Sequence, residues 1–268
     1  MFTRYVAIGD SSTEGLDDPD GRGGFRGWAN RLAERLAAAQ GSVGYANLGI
    51  RGRRTRQIMD QQLGPALAME PDLVTVFSGT NDVVARRFDA DQVAQDMEEM
   101  QRSLIRNGAT VLTFTLPDLT PVMPLARFIR GRVHRLNEAL WHAASESGAI
   151  LVDVARHPVA SDSRLWSRDR LHANAEGHFR IAAALAQAIG LGNDKEDWWR
   201  PFPDPLRQTP VTWLWDELRW GREHLLPWIG RHLAGRSSGD GRVAKRPQLL
   251  PLLSADSAGG RSAQFDAG

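Results

Sequence analysis

The feature that most limits how this chain can fold is an alternation across residues 1–192. Short apolar or β-branched runs alternate there with longer amphipathic stretches. The strand-like runs are Tyr5–Ile8, Val43–Leu48, Leu73–Phe77, Thr110–Thr115 and Ile150–Val154, each bounded by turn-forming residues such as Gly9, Gly79 or Pro71. Between them, Trp28–Ala39, Asp91–Arg106, Arg132–Ser147 and Ala175–Ile189 carry apolar residues at helical spacing, and Asn174 is placed to cap the last. Thr55–Leu67 holds helical signals that Gly64-Pro65 should interrupt. Apolar strands that alternate with helices need cover on both faces, so the pattern predicts a three-layer α/β/α domain around a five-stranded parallel sheet. In such open sheets, ligands bind outside the carboxyl ends of the strands. The loops after Ile8, Leu48, Phe77, Thr115 and Val154 should therefore share one rim.

Composition removes several function classes. Of 268 residues, 42% are hydrophobic and 24% charged, enough apolar surface for a large core without metal or disulfide support. Lys+Arg 33 against Asp+Glu 32 leaves a net charge of +1, unlike the strongly basic surface of a nucleic-acid binder. The absence of Cys excludes a thiolate nucleophile, a disulfide framework and a Cys-based zinc site. His134, His142 and His157 lack ligand spacing, so no metal is expected. No apolar run reaches the roughly 18 residues of a membrane span, and no secretory-type segment opens the chain. The expected compartment is the cytoplasm.

The composition changes near residue 193. Six of the nine Trp fall between 198 and 228, in a stretch where Arg, Glu and Leu are interleaved. We read 193–234 as an amphipathic extension that packs back on the domain as a lid, with Trp213–Leu233 helical in two pieces split near Pro227. Peripheral membrane contact through 198–246 and a partner surface are the competing readings. Residues 235–268, rich in Gly, Ser, Pro and Arg, are expected to form a disordered tail. No obligate protein partner is legible.

The rim loops carry the chemistry. Ser11 follows a buried strand and enters a helix, which suits a nucleophile, although strand-end serines are also common caps. Ser12 offers a second hydroxyl. A hydroxyl needs a base at neutral pH, and the base needs an acid to fix its tautomer; Asp169 and His172, three residues apart on a tight loop, supply both. The Ser11 and Gly49 N–H groups and the Asn81 side chain would complete an oxyanion hole. Each segment has an ordinary turn or cap reading, but together they meet every requirement of acyl transfer. Arg51, Arg53 and Arg54 crowd the loop after Gly49, where they could attract an anionic substrate. Asp10 and Asp82 read as loop-fixing groups and His178 as a structural histidine.

Ordered blocks at these positions resemble the GDSL/SGNH hydrolase family. They are Ile8-Gly9-Asp10-Ser11-Ser12-Thr13-Glu14-Gly15, Asn47-Leu48-Gly49-Ile50-Arg51-Gly52, Gly79-Thr80-Asn81-Asp82 and Asp169-Arg170-Leu171-His172 with its continuation to His178. Ser12 and Ala173 depart from the usual pattern without removing a catalytic group. The resemblance implies a flavodoxin-like fold and cofactor-free hydrolysis of a small-molecule or lipid ester. It implies Ser11 as nucleophile, His172 as base, Asp169 as its orienting acid, and Gly49 and Asn81 as oxyanion donors beside the Ser11 amide. An acyltransferase or acyl-CoA thioesterase would use the same residues, and a catalytically silent binding module could share the fold. The Gly-x-Ser-x-Gly elbow of the α/β-hydrolases is absent.

Overall fold

A computed structural model describes residues 1–192, 197–204, 210–227 and 238–254. The strands are β1 (Arg4–Gly9), β2 (Ser42–Asn47), β3 (Leu73–Phe77), β4 (Thr110–Phe114), β5 (Ile150–Val152) and β6 (Arg246–Leu253). They lie in the order β5-β4-β3-β1-β2-β6, with β1 to β5 parallel. The helices are α1 (Ser11–Glu14), α2 (Gly27–Gln40), α3 (Thr55–Ile58), α4 (Gly64–Ala68), α5 (Thr80–Val83), α6 (Ala90–Arg106), α7 (Arg130–Ser147), α8 (Ala175–Ala188) and α9 (Pro210–Trp220).

The three-layer architecture follows from the chain's direction. From β1 the chain moves to β2 on one side, then recrosses β1 to reach β3, β4 and β5 on the other. Right-handed crossovers put connections of opposite direction on opposite faces. Accordingly α2 packs with α8, and α6 packs with α7. The reversal creates a crevice between the carboxyl ends of β1 and β3, where Gly9 stands opposite Phe77. Ser11 and Asn81 follow those two strand ends. The core beneath them is closely covered: Tyr5, Ile8, Trp28, Leu32, Leu73 and Leu112 are fully buried. Each such side chain contributes about 1.5–3 kcal/mol by leaving water, so the rim rests on a rigid floor.

Two expectations need correction. The sheet has a sixth strand, formed by part of the segment 235–268 that was expected to be disordered. β6 pairs antiparallel with β2, and Pro247 and Pro251 fit an edge strand, which tolerates missing N–H groups. Residues 255–268 lie outside the described residues, as do 193–196, 205–209 and 228–237 of the extension. Nor does Gly64-Pro65 interrupt the third helical region. A π-turn over Met59–Leu63 joins α3 to α4, shifting the hydrogen-bond register just where Pro65 lacks a donor.

Candidate active site

The loop 9–12, which carries the candidate nucleophile, is shaped by a close approach. At Gly9 the backbone has φ +154°, and an added Cβ would lie 2.2 Å from Thr13 Oγ1 and 2.4 Å from the Phe77 carbonyl. Only glycine lets β1 turn into α1 this tightly. The Gln62 side chain, presented by the π-turn, continues the ladder: Gly9 N–H donates to Gln62 Oε1 at 2.8 Å, and Gln62 Nε2 donates to the Gly9 carbonyl at 2.9 Å. Asp10 caps α1 by accepting from Ser12 N–H at 3.0 Å. Ser11 thus stands at the rim beside the cavity. Ser12 also lines the cavity, but its hydroxyl is engaged, accepting from the Trp28 indole at 3.1 Å.

The loop 167–172, which carries the candidate acid and base, is held by its own short-range hydrogen bonds. Ser167 N–H donates to the His172 carbonyl at 2.8 Å, and Arg170 N–H to the Ser167 carbonyl at 3.0 Å, closing a tight turn. One oxygen of Asp169 accepts from the backbone of Leu171 (2.9 Å) and His172 (3.0 Å) and from the Ser167 hydroxyl (2.6 Å). Its other oxygen lies 2.6 Å from His172 Nδ1. His172 Nε2 lies 2.9 Å from Ser11 Oγ. Three groups from the two ends of the α/β domain therefore form one continuous relay. Burial pushes the Asp169 carboxyl up, but the hydrogen bond and charge of His172 outweigh it and hold the group far below the usual carboxylate range. Burial alone would lower the His172 pKa. The Asp169 hydrogen bond and charge, with help from Asp17 and Asp10, raise it instead above its ordinary value of 6.5. An ionised Asp169 fixes the proton on Nδ1, which leaves Nε2 able to accept from Ser11.

The extension packs directly on this loop. The Trp220 indole donates to the Asp169 carbonyl at 3.0 Å, and Glu217 pairs with Arg170 at 2.5 Å. The Arg170 guanidinium sits 5.0 Å over the Trp220 ring and so braces a residue at φ +63°. Glu223 and His224 then reach the cavity wall. The helix thus contacts the loop from outside. No helix among the described residues is long and apolar enough to cross a membrane.

The opposite wall differs from the expected one in part. Gly49 does not line the cavity. Its N–H donates to Asn47 Oδ1 at 3.0 Å, and an added Cβ would lie 2.8 Å from Glu14 N. Gly49 is a close-packing residue under α1, whereas Gly52, three positions on, faces the cavity with Ser11 and Asn81. Both glycines stand in one sequence block, and only the path of the backbone separates their roles. Asn81 Nδ2 lies at the rim and donates to Asp10 Oδ2 (3.1 Å) and the Arg53 carbonyl (3.0 Å). Burial pushes the Asp10 carboxyl up to about 6, although the Ser12 N–H and the His172 charge act to lower it. Asp82 accepts from the Thr55 amide and hydroxyl, and so fixes the next turn.

The arginines separate as well. Arg51 lines the cavity, but its guanidinium is paired with Glu14 and stacked 5.3 Å over Phe25. Arg53 has a buried Nε without a hydrogen-bond partner among the described residues, and Arg54 is exposed. His178 is buried between the Trp28 amide and the Leu16 carbonyl, and burial lowers its pKa to about 4. It is a neutral packing group. Asp17, which no sequence signal singled out, lies 2.6 Å from Ser167 Oγ, whose one proton it shares with Asp169, and 3.9 Å from His172 Nδ1.

A cavity of about 460 Å³ opens beside Ser11 and His172. This hydroxyl, imidazole and carboxylate at the switch point of a 2-1-3-4-5 sheet agree with the family model that matches residues 7–180, the GDSL-like lipase/acylhydrolase family. The chain belongs to this family. It is a carboxylic ester hydrolase by that membership. Among relatives, an acetylxylan esterase of Geobacillus stearothermophilus is 25% identical over 216 residues, which cover 70% of this chain and 94% of the relative. A GDSL-like esterase of Mycobacterium tuberculosis is 26% identical over 174 residues; these cover 61% of this chain and 52% of that protein, about half its length. Among solved structures, LAE5, an α/β hydrolase enzyme from the metagenome of Lake Arreo, superposes with TM-score 0.60 at 22% identity over 72% of this chain and 97% of its own. That similarity concerns the fold.

Proposed function

We propose that this hydrolase cleaves carboxylic esters through an acyl-enzyme on Ser11, with His172 as base and Asp169 as its orienting acid. The observation that carries the reading is the relay itself, 2.9 Å from Ser11 Oγ to His172 Nε2 and 2.6 Å from Nδ1 to Asp169. As Ser11 Oγ bonds to the ester carbonyl carbon, its proton passes to Nε2. The charged imidazolium that results is stabilised by the Asp169 carboxylate. When the tetrahedral intermediate collapses, the bond to the alcohol oxygen breaks and Nε2 returns the proton to it. Water then repeats the sequence: it gives a proton to Nε2 as its oxygen bonds to the acyl carbon, and on collapse the bond to Ser11 Oγ breaks, Nε2 returns the proton to that oxygen, and the acid leaves.

The carbonyl oxygen becomes negative in both steps and needs donors. The Ser11 N–H, the Gly52 N–H in place of that of Gly49, and the Asn81 side chain are the groups we assign to it. The Asp10 carboxylate and the Arg53 carbonyl orient the Asn81 amide before substrate arrives, and the oxyanion would take over one of these hydrogen bonds. Such a preorganised donor contributes about 2.7–4 kcal/mol.

Ester turnover by Ser11→Ala tests the reading. A fall of roughly 10⁴-fold or more is expected for loss of the nucleophile. Turnover within about tenfold of the parent would exclude Ser11, since that is only some 1.4 kcal/mol of barrier.

A further inference from the structure

His172 has a second carboxylate beside it. Asp17 Oδ2 lies 3.9 Å from His172 Nδ1, the nitrogen that Asp169 already meets at 2.6 Å. The Ser167 hydroxyl stands between the two acids, 2.6 Å from each. Ser167 and Asp169 share one turn, whereas Asp17 is 150 residues from Ser167 in sequence, on the loop after α1.

The neighbours of Asp17 hold it there. The Leu16 carbonyl accepts from His178 Nε2 at 2.9 Å. The Asp18 carboxylate pairs with Arg31 at 2.7 Å and accepts from Gly27 N–H at 3.0 Å. Between these anchors Asp17 has φ +66°, in the left-handed region that most side chains avoid. Such a conformation persists only where the surroundings impose it, and it clusters at functional sites. Here it brings a carboxylate to Ser167 and to the His172 ring.

The other charged groups around the ring have partners or roles of their own. Asp10 accepts from Ser12 and Asn81. Arg170 pairs with Glu217, Arg51 with Glu14 and Arg180 with Glu176. On the cavity wall Glu223 faces Arg222 at 3.8 Å, beside His224, and His178 is held neutral by burial. Asp17 pairs with no Lys or Arg among the described residues. Its side chain is 38% exposed, and contact with water lowers the cost of a charge there.

We infer that Asp17 is a positioning residue for the His172 base: its carboxylate, held by Ser167, faces the imidazolium that forms as Ser11 attacks and adds a second negative charge to that of Asp169. This rests on the Ser11 and His172 reading above. One carboxylate balances the imidazolium charge, and the second favours still further the ring that has taken the proton. The neutral ring of the substrate complex gains little from it, so the effect falls on kcat and leaves KM alone.

The test is Asp17→Asn and Asp17→Gly in the full chain, with 4-nitrophenyl acetate as substrate. Asn and Gly both accept the left-handed backbone, so Tm should stay within about three degrees of the parent. In both variants the plateau kcat should fall about threefold to tenfold, with KM within about twofold. The acidic limb of kcat/KM should move about half a pH unit lower, the size expected of a charge that solvent partly screens. The His172 ring titrated by NMR, with no substrate present, should show the same displacement. A limb or a ring titration that stays put in either variant, a KM that rises while kcat holds, or a kcat loss found only with a lowered Tm would overturn the assignment. If Ser11→Ala kept the parent's turnover, the nucleophile reading would fail instead, and the NMR titration would still report whether Asp17 acts on the ring.

Discussion

The two sides of Ser11 are built differently. On the base side, His172 and Asp169 already point at one another and at the serine, held by a local turn whose hydrogen bonds span only a few residues. On the oxyanion side, Asn81 comes from a different strand end, and both its protons are engaged by Asp10 and Arg53. The base side is ready before substrate binds. The oxyanion side keeps its donor oriented by acceptors that a developing negative charge has to displace. In the proposed mechanism, proton transfer would thus depend on local geometry and charge stabilisation on how the strands are ordered.

Removing the orienting carboxylate should strain that comparison most. Asp169→Asn leaves the loop's shape near normal but lets His172 take the wrong tautomer, and turnover should fall by roughly 10⁴-fold. A loss below about tenfold would mean that the local turn, and not the charge, holds the base. Next comes Asn81→Ala, for which kcat should drop by about 10²–10³-fold with little change in KM, as for other single oxyanion donors. An equal rise in KM with kcat intact would place Asn81 in ground-state binding.

The pH profile separates the two sides without losing either. Protonated His172 cannot accept from Ser11, so kcat/KM should rise with pH. Its acidic limb should lie above 6.5, because Asp169 outweighs burial in raising the His172 pKa. In Asp169→Asn the limb should move to lower pH, since burial alone favours the neutral ring. A limb that stays fixed would assign it to another group.

Two smaller effects sharpen the picture. Trp220→Phe removes one hydrogen bond to the Asp169 carbonyl, and kcat should fall about fivefold, the value of one ordinary hydrogen bond. The acidic limb should shift with it, a change that mere loosening of α9 would not produce. Gly49→Ala should act on folding: a Cβ 2.8 Å from Glu14 N overpacks the loop under α1. The expected cost is about 1–3 kcal/mol, or a Tm several degrees lower, with the remaining folded enzyme active. Full stability with lost kcat would restore Gly49 to the oxyanion hole.

Much of this was legible in the chain. Leu73–Phe77 and its fellow apolar runs, with helical spacing between them, prescribe a parallel sheet, and the order of the rim loops prescribes where Ser11 and His172 meet. Asp169 was legible because its bond to His172 is local. What was hidden depends on three-dimensional context. Gly49 and Gly52 share one block, and only the turn of the backbone decides which faces the cavity. The run Arg246–Leu253 has two prolines and no polar alternation, so it does not read as a strand; the open edge of β2 makes it one. Trp220 sits on a helix whose sequence also fits a membrane surface, and nothing local ties its indole to Asp169.

The most direct measurement is to locate the adduct after a fluorophosphonate reacts with the intact chain. The account predicts one phosphonyl group on Ser11, and none in His172→Ala under the same conditions. An adduct on Ser12, or labelling of Ser11 that persists undiminished without His172, would contradict it.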